Sequence, residues 1–228
     1  RTKRREAIAK LDTLAQSIFI DMFGDPVTNP MGWDERNIAD IVSETKLGLV
    51  RSSSEFGWDY EHPYVRMDAI SRDGKFLSEK VQTTYATNSE LTVYGLRAGD
   101  LLFNTRNSRE LVGKTCIFTG KEGSIFNNNV MRIRFNSAVE PPVISAQFQF
   151  ERVRRELEKR KSGTTNVFAV YWKSLKTLPV LIPPYNLQRR FTDLVNALQK
   201  RIIVQHSNSE SMEILFKSLQ QRAFKGEL

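Results

Sequence analysis

Apolar residues recur at steps of three and four along residues 4–23, where Ile8, Leu11, Leu14, Ile18 and Met22 form one stripe, and this spacing predicts an amphipathic helix. Gly24, Asp25 and Pro26 stop it. From Pro30 to about Phe135 the pattern breaks into short apolar runs cut by turn residues, at 64–67, 101–103, 115–118 and 130–135, which predict strands. Pro141 and Pro142 open a helix whose buried side carries Ile144, Phe148 and Leu157 and which Gly163 ends. The apolar run 178–182 closes the domain. After Pro183 and Pro184 no breaker intervenes until Gly226, so about 40 residues form one predicted helix, about 60 Å long at about 1.5 Å per residue. Its stripe of Leu187, Phe191, Leu194, Leu198 and Ile202 resumes at Met212, Leu215 and Leu219 with coiled-coil spacing. The polar patch from Gln205 to Ser211 weakens the seam in its middle, as a hinge or a register device.

The two ends repeat one another. Leu14, Ser17, Ile18 and Phe23 match Leu215, Ser218, Leu219 and Phe224 at identical spacing, which makes the unit helix end, globular domain, helix end. The chain opens with Arg1 inside a charged helical stretch, so the first helix is expected to be the tail of an earlier long one. Lying antiparallel to the C-terminal helix, it would cover the stretch from Leu187 to Leu198 and leave Met212 to Leu219 for another chain or a missing half. The expected fold is α+β: a mixed, mostly β domain over 27–182, followed by a long helix over 183–228 that forms an antiparallel coiled-coil spacer with residues 1–26.

With 228 residues, 40% of them hydrophobic and 26% charged, the chain suffices for one main domain with an ordinary core. A net charge of +8 favours polyanionic partners. Cys116 is the single cysteine, which excludes an internal disulfide and cysteine-rich zinc sites and suits the cytoplasm. No apolar run approaches the roughly 20 residues of a bilayer span, so no membrane association is expected.

Candidate catalytic motifs have a structural reading that fits better. Gly113-Lys114-Thr115 ends like a phosphate-binding loop, but Ser108 stands where the first glycine belongs and Cys116 to Phe118 continues as strand, so a turn into a strand is expected. Pro183-Pro184-Tyr185 is similar to the loop of DNA amino-methyltransferases, yet Ile182 cannot accept a hydrogen bond from a target amine and no glycine-rich nucleotide fingerprint accompanies it. Asp73-Gly74-Lys75, with Asp59 or Asp68, offers half of a nuclease metal site, and Asp-Gly is equally a tight-turn signal. His62 and His206 have no partners at informative spacing. No catalytic or metal site is predicted.

The basic residues instead fall at element ends rich in amides and hydroxyls. Arg51, Ser52 and Ser53 form one such loop, and Arg72 and Lys75 flank the Asp-Gly turn. Thr105, Arg106, Asn107 and Arg109 follow a strand, while Asn127 and Asn128 precede one. Lys159, Arg160, Lys161, Thr164, Thr165 and Asn166 follow a helix. Arg and Lys grip phosphates or guanine edges, Asn pairs with adenine, and Ser and Thr donate to either, which is the chemistry of double-stranded DNA readout. The alternative is a set of solvated turns and caps.

Several stretches, in this order, resemble the specificity subunit of type I restriction-modification systems: LAQSIFIDMFGDP from Leu14, Gly32-Trp33, GDLLFNTRNS from Gly99, ELVGK from Glu110, SGTT from Ser162, and LPVLIPP from Leu178 with Gln188. The resemblance implies one DNA target-recognition domain over 27–182, carried on helices that act as a ruler between two half-sites. It implies that methylation and its S-adenosylmethionine belong to partner methyltransferase (modification) subunits, and ATP- and magnesium-dependent cleavage to a restriction subunit, with no cofactor on this chain. Since that family carries two recognition domains, the chain corresponds to a C-terminal half, or to a half-length subunit that self-associates through its long helix. The rival readings are a DNA-modifying enzyme, methyltransferase or nuclease, and a coiled-coil scaffold that binds only protein.

Overall fold

The computed structural model describes residues 14–57 and 59–201. Helix α1, residues 14–23, ends where Gly24 adopts a φ of +78° and its amide donates to Ile20 O at 2.8 Å. A side chain there would also strike Pro30, whose Cγ lies 2.6 Å from where a Cβ would sit. The chain then enters β1 (Asp34–Asn37), which pairs antiparallel with β12 (Pro179–Ile182), so both ends of the globular body meet at one ribbon. Directly after β12, Pro183 and Pro184 lead into helix α6, residues 185–201. Pro184 O accepts from the Leu187 and Gln188 amides, the strand-to-helix junction predicted for this motif.

Between the two ends lies a four-stranded antiparallel sheet in the order β2 (Val42–Leu47), β9 (Val130–Phe135), β5 (Leu101–Asn104), β7 (Thr115–Ile117). Every residue of β5 is buried, because both faces of this sheet are covered. Leu101, Phe103, Met131 and Ile133 pack with Ile144, Phe148, Leu157 and Val180 on one side. Leu102, Cys116 and Val130 pack with Val65, Ile70, Phe118 and Phe126 on the other. Two-sided burial explains why the strand reads as a continuous apolar run rather than an alternating one. A second sheet, β4 (Gln82–Thr84), β3 (His62–Val65), β8 (Ile125–Phe126), covers that other side, flanked by helix α2 (Asn88–Tyr94).

The single helix expected between Pro141 and Gly163 is two: α3 (Pro141–Gln147) and α4 (Glu151–Glu158). The break falls where Phe148 enters the main core and Phe150, extended at ψ 149°, turns to a separate cluster beneath α1 and α6. In that cluster Phe19, Phe23, Phe191 and Val195 are buried with Ile18 and Leu187 against Val143 and Phe150. The Phe19 and Phe191 rings meet edge-on at 5.7 Å. Of the predicted stripe, Phe191 and Leu198 are buried and Ile18, Met22 and Leu187 half-buried, while Leu14 is 39% and Leu194 42% exposed; Phe19, Phe23 and Val195, each one residue beyond a predicted position, are buried as well. Ile8, Leu11, Ile202, Met212, Leu215, Leu219 and the polar patch from Gln205 lie outside the described residues. Among the described residues no helix is long and apolar enough to cross a membrane.

Candidate nucleic-acid interface

Two of the polar loops, more than 50 positions apart in sequence, are joined into one surface by a small sheet in the order β10 (Ser162–Gly163), β11 (Phe168–Ala169), β6 (Arg106–Asn107). Arg106 faces Ala169 and Asn107 faces Phe168, while Gly163 closes the hairpin opposite Phe168. Only glycine fits at 163, since a Cβ would lie 2.2 Å from Val167 O. The hairpin tip, Thr164, Thr165, Asn166 and Val167, is exposed throughout. Arg109 braces the base of the hairpin: its Nε pairs with Glu158 at 2.7 Å and its guanidinium lies 5.5 Å from the Phe168 ring. Lys161 donates to Arg109 O at 2.6 Å and pairs with the same Glu158. Hydrogen bonds from Lys161 and Arg109 hold the Glu158 carboxyl below the ordinary carboxylate range. Arg106 and Lys159 are exposed, and no partner binds the Arg106 guanidinium among the described residues.

The asparagine loop abuts this surface. Asn129 O accepts from Thr105 N at 2.9 Å and from Asn104 Nδ2 at 3.1 Å, and Asn104 Oδ1 accepts from Asn107 Nδ2 at 3.0 Å. Asn127 donates to the Tyr64 hydroxyl, whose proton goes to Leu49 O at 2.7 Å. These amides shape the loop, leaving Asn128 exposed at its tip.

Several predicted contacts prove to be committed inside the protein. Thr105 is 2% exposed, its backbone bonded to Asn129 and Val170. Arg51 has a side chain only 10% exposed and pairs with Glu90 at 2.7 Å while donating to Tyr85 O. Arg160 donates to Glu156, Ser174 O and Thr177 O, and the Lys161 side chain is 12% exposed. Ser52 caps a short turn through Glu55, whereas Ser53 is exposed. Arg72 is exposed and Lys75 pairs with Asp73 at 3.1 Å, both on the turn where Gly74 takes a φ of +86°.

That turn accounts for Asp73, which also accepts from Ser71 Oγ, so the nuclease-like triplet is a hairpin. Gly113, at a φ of +91°, turns the chain into β7, and Lys114 donates to Met67 O and Ile70 O. Burial pushes the Cys116 thiol up to about 12. Among the described residues no group of three acidic, His or Cys side chains is placed to hold a metal.

One feature of this face carries no sequence signal. A groove of about 590 Å³ beside the joined loops is lined by Lys46 and Leu47 of β2, by Thr105, and by Tyr171 and Lys173. Lys46 lies in a strand without any loop signature, and Tyr171 to Lys173 begin a one-turn helix, α5 (Trp172–Leu175), at a distance of more than 100 positions.

Comparison with known proteins fits this architecture. No protein-family model matches the chain. It is 25% identical over 195 residues to a putative type I restriction enzyme MjaX specificity subunit of Methanocaldococcus jannaschii, covering 80% of the chain and 45% of that protein. It is 26% identical over 200 residues to the type I restriction enzyme EcoKI specificity subunit of Escherichia coli, covering 84% and 42%. The chain therefore spans less than half the length of these curated relatives. Among solved structures, the HsdS subunit from Thermoanaerobacter tengcongensis superposes with a TM-score of 0.56 at 19% identity over all of this chain and 54% of that one. A chain from a study of complex assembly and conformational transition of the type I R-M system gives 0.59 at 20% identity, covering 100% and 55%. The S subunit from M. genitalium gives 0.57 at 11% identity, covering 96% and 56%. The resemblance read from the sequence is borne out: the curated relatives are type I specificity subunits and the structural neighbours share the fold over nearly the whole chain.

Proposed function

Taking this kinship with type I specificity subunits as premise, we propose that the chain is a non-catalytic DNA-recognition unit of a cytoplasmic type I restriction-modification complex. The body over 27–182 reads one half of a two-part site in double-stranded DNA. The segments 1–26 and 183–228 belong to an antiparallel helical spacer that docks methyltransferase and restriction subunits, where S-adenosylmethionine, ATP and magnesium act. A half-length chain pairs with a second copy through the long helix.

The observation that carries the DNA reading is the β10–β11–β6 sheet, which fuses two polar loops into one braced, exposed surface. Arg106, Asn128, Lys159, Thr164, Thr165 and Asn166 are its base- and phosphate-contacting groups, with Ser53, Arg72 and Lys75 at the periphery. Arg109, Asn107 and Asn127 hold the surface in shape. Arg51, Thr105, Arg160 and Lys161 serve structure and not DNA.

The test is assembly of the full chain with type I modification subunits, followed by mapping of methylated bases in random-sequence duplex DNA. Arg106→Ala is expected to weaken DNA binding by about 1–3 kcal/mol and to relax the preference at one position, as removal of a single bidentate base pairing does. Unchanged affinity and unchanged preference would exclude the loop. Methylation or cleavage by the chain without partners would overturn the non-catalytic assignment.

A further inference from the structure

The groove beside the recognition sheet has the construction of a strand-backbone cradle. Its lining includes Thr105, which leads into the Arg106 loop and whose carbonyl accepts from Val170 N, and Gly48, whose amide donates to Val130 O at the start of β9. Lys46 and Lys173 both line it, and no carboxylate is among its lining residues. Glu44, the acidic residue of β2 that precedes Lys46, is already neutralised by Arg132 and Arg134. Lys46 rests its ammonium 5.1 Å from the Tyr94 ring centre and has no acidic partner among the described residues. Lys173 is exposed with no charge partner among the described residues.

The walls are also rigid. The β2 end is pressed onto its neighbour so closely that a Cβ at Gly48 would lie 2.1 Å from Phe126 O, and Leu49 N is bonded to that same oxygen at 2.8 Å. The backbone at Tyr171 is held by its own carbonyl, which accepts from Ser174 N and Leu175 N, while the residue remains 48% exposed. Leu47, 45% exposed, faces the same opening. A backbone frame already ordered before binding loses little entropy on engaging a partner.

We propose that this groove seats the phosphodiester backbone of one strand of the bound duplex, with Lys46 and Lys173 contacting phosphates and Tyr171 and Leu47 lying against the sugar edge. The inference rests on the DNA reading given above and extends it: the hairpin loops select bases, while the groove sets the register of the duplex against them.

The measurement is duplex binding by the full chain, with and without type I modification subunits, using random-sequence DNA across a salt series. The Lys46→Ala/Lys173→Ala protein is expected to lose affinity equally on every sequence and to show a log-affinity against log-salt slope reduced in magnitude by about 2, about one for each phosphate no longer neutralised. Lys46→Arg/Lys173→Arg should restore that slope, and Tyr171→Ala should weaken binding several-fold without changing it. A wild-type slope in the double alanine variant, or no recovery with arginine, overturns the groove while leaving DNA recognition in place. If the unaltered chain binds no duplex under either condition, the recognition reading itself falls, and the groove with it.

Discussion

Arg132 is the largest fully enclosed side chain among the described residues, at 2% exposure. Its guanidinium donates to Gly95 O at 2.8 Å and to Glu44, and stacks 5.9 Å from Phe126. Arg134 binds the other Glu44 oxygen at 3.0 Å and grips Asp100 with two donors. Burial alone would raise the Glu44 carboxyl, but the two arginines outweigh it and hold it below the ordinary value of 4.5. A carboxyl whose folded value is depressed contributes stability above its unfolded value and loses it as pH falls through the folded one. Since the Glu44 side chain is 45% exposed, solvent screens much of the pairing. Glu44→Gln is therefore expected to cost only about 1 kcal/mol near neutral pH, with the difference closing below about pH 4.5. Urea midpoints of both proteins along a descending pH series check this, and a gap that persists undiminished into acid contradicts it.

At the scale of elements, a side chain can do the work of a strand. Gln147, buried in α3, donates Nε2 to Leu181 O at 2.8 Å and accepts from Leu181 N at 2.8 Å, satisfying the edge of β12 that β1 does not reach. Gln147→Leu keeps a similar volume but strands both groups, at about 3 kcal/mol on the usual cost of unpaired buried polar atoms. Amide exchange should accelerate specifically at Leu181, whereas a uniform loss of protection would point to a general packing defect. This clamp also marks how far the sequence can be read. Strand β5 announces itself because two covered faces demand a continuous apolar run, β7 and β9 because short apolar-rich segments stand between turn residues, and α6 because two prolines precede a regular stripe. Strands β6, β10 and β11 are two residues each and exist only through pairing partners such as Asn107 and Phe168, so no local pattern encodes them. The proposed recognition surface is legible in composition for the same reason that its members are not separable there: Arg106 and Arg51 look alike in sequence, and partners as distant as the Glu90 carboxylate, 39 positions away, make Arg51 a half-buried brace. The Lys46 and Lys173 groove escapes entirely, being a product of sheet edge and one-turn helix brought together.

Over the whole molecule, the orientation of the proposed recognition surface depends on how firmly the terminal helices hold the body. Four phenylalanines, Phe19 and Phe23 from α1, Phe191 from α6 and Phe150 from the α3–α4 corner, form this joint, with ring centres 4.9 to 5.7 Å apart. Phe191 touches both rings of α1, so its removal opens the joint from both sides. A fully buried phenylalanine cut to alanine costs about 3–5 kcal/mol through forfeited transfer energy and the cavity left behind. Leu194, one turn onward but 42% exposed, belongs to the outer flank of α6 and is expected to cost less than about 0.5 kcal/mol on the same substitution. Phe191→Ala should also free the 24–33 connection, where Trp33 Nε1 now donates to Phe23 O at 2.9 Å, so limited proteolysis there should quicken while the four-stranded sheet keeps its exchange protection. Thermal melting of the two variants with proteolysis of the native chain decides the matter: if Leu194→Ala destabilises as much as Phe191→Ala, the helices are held by a seam other than this aromatic joint.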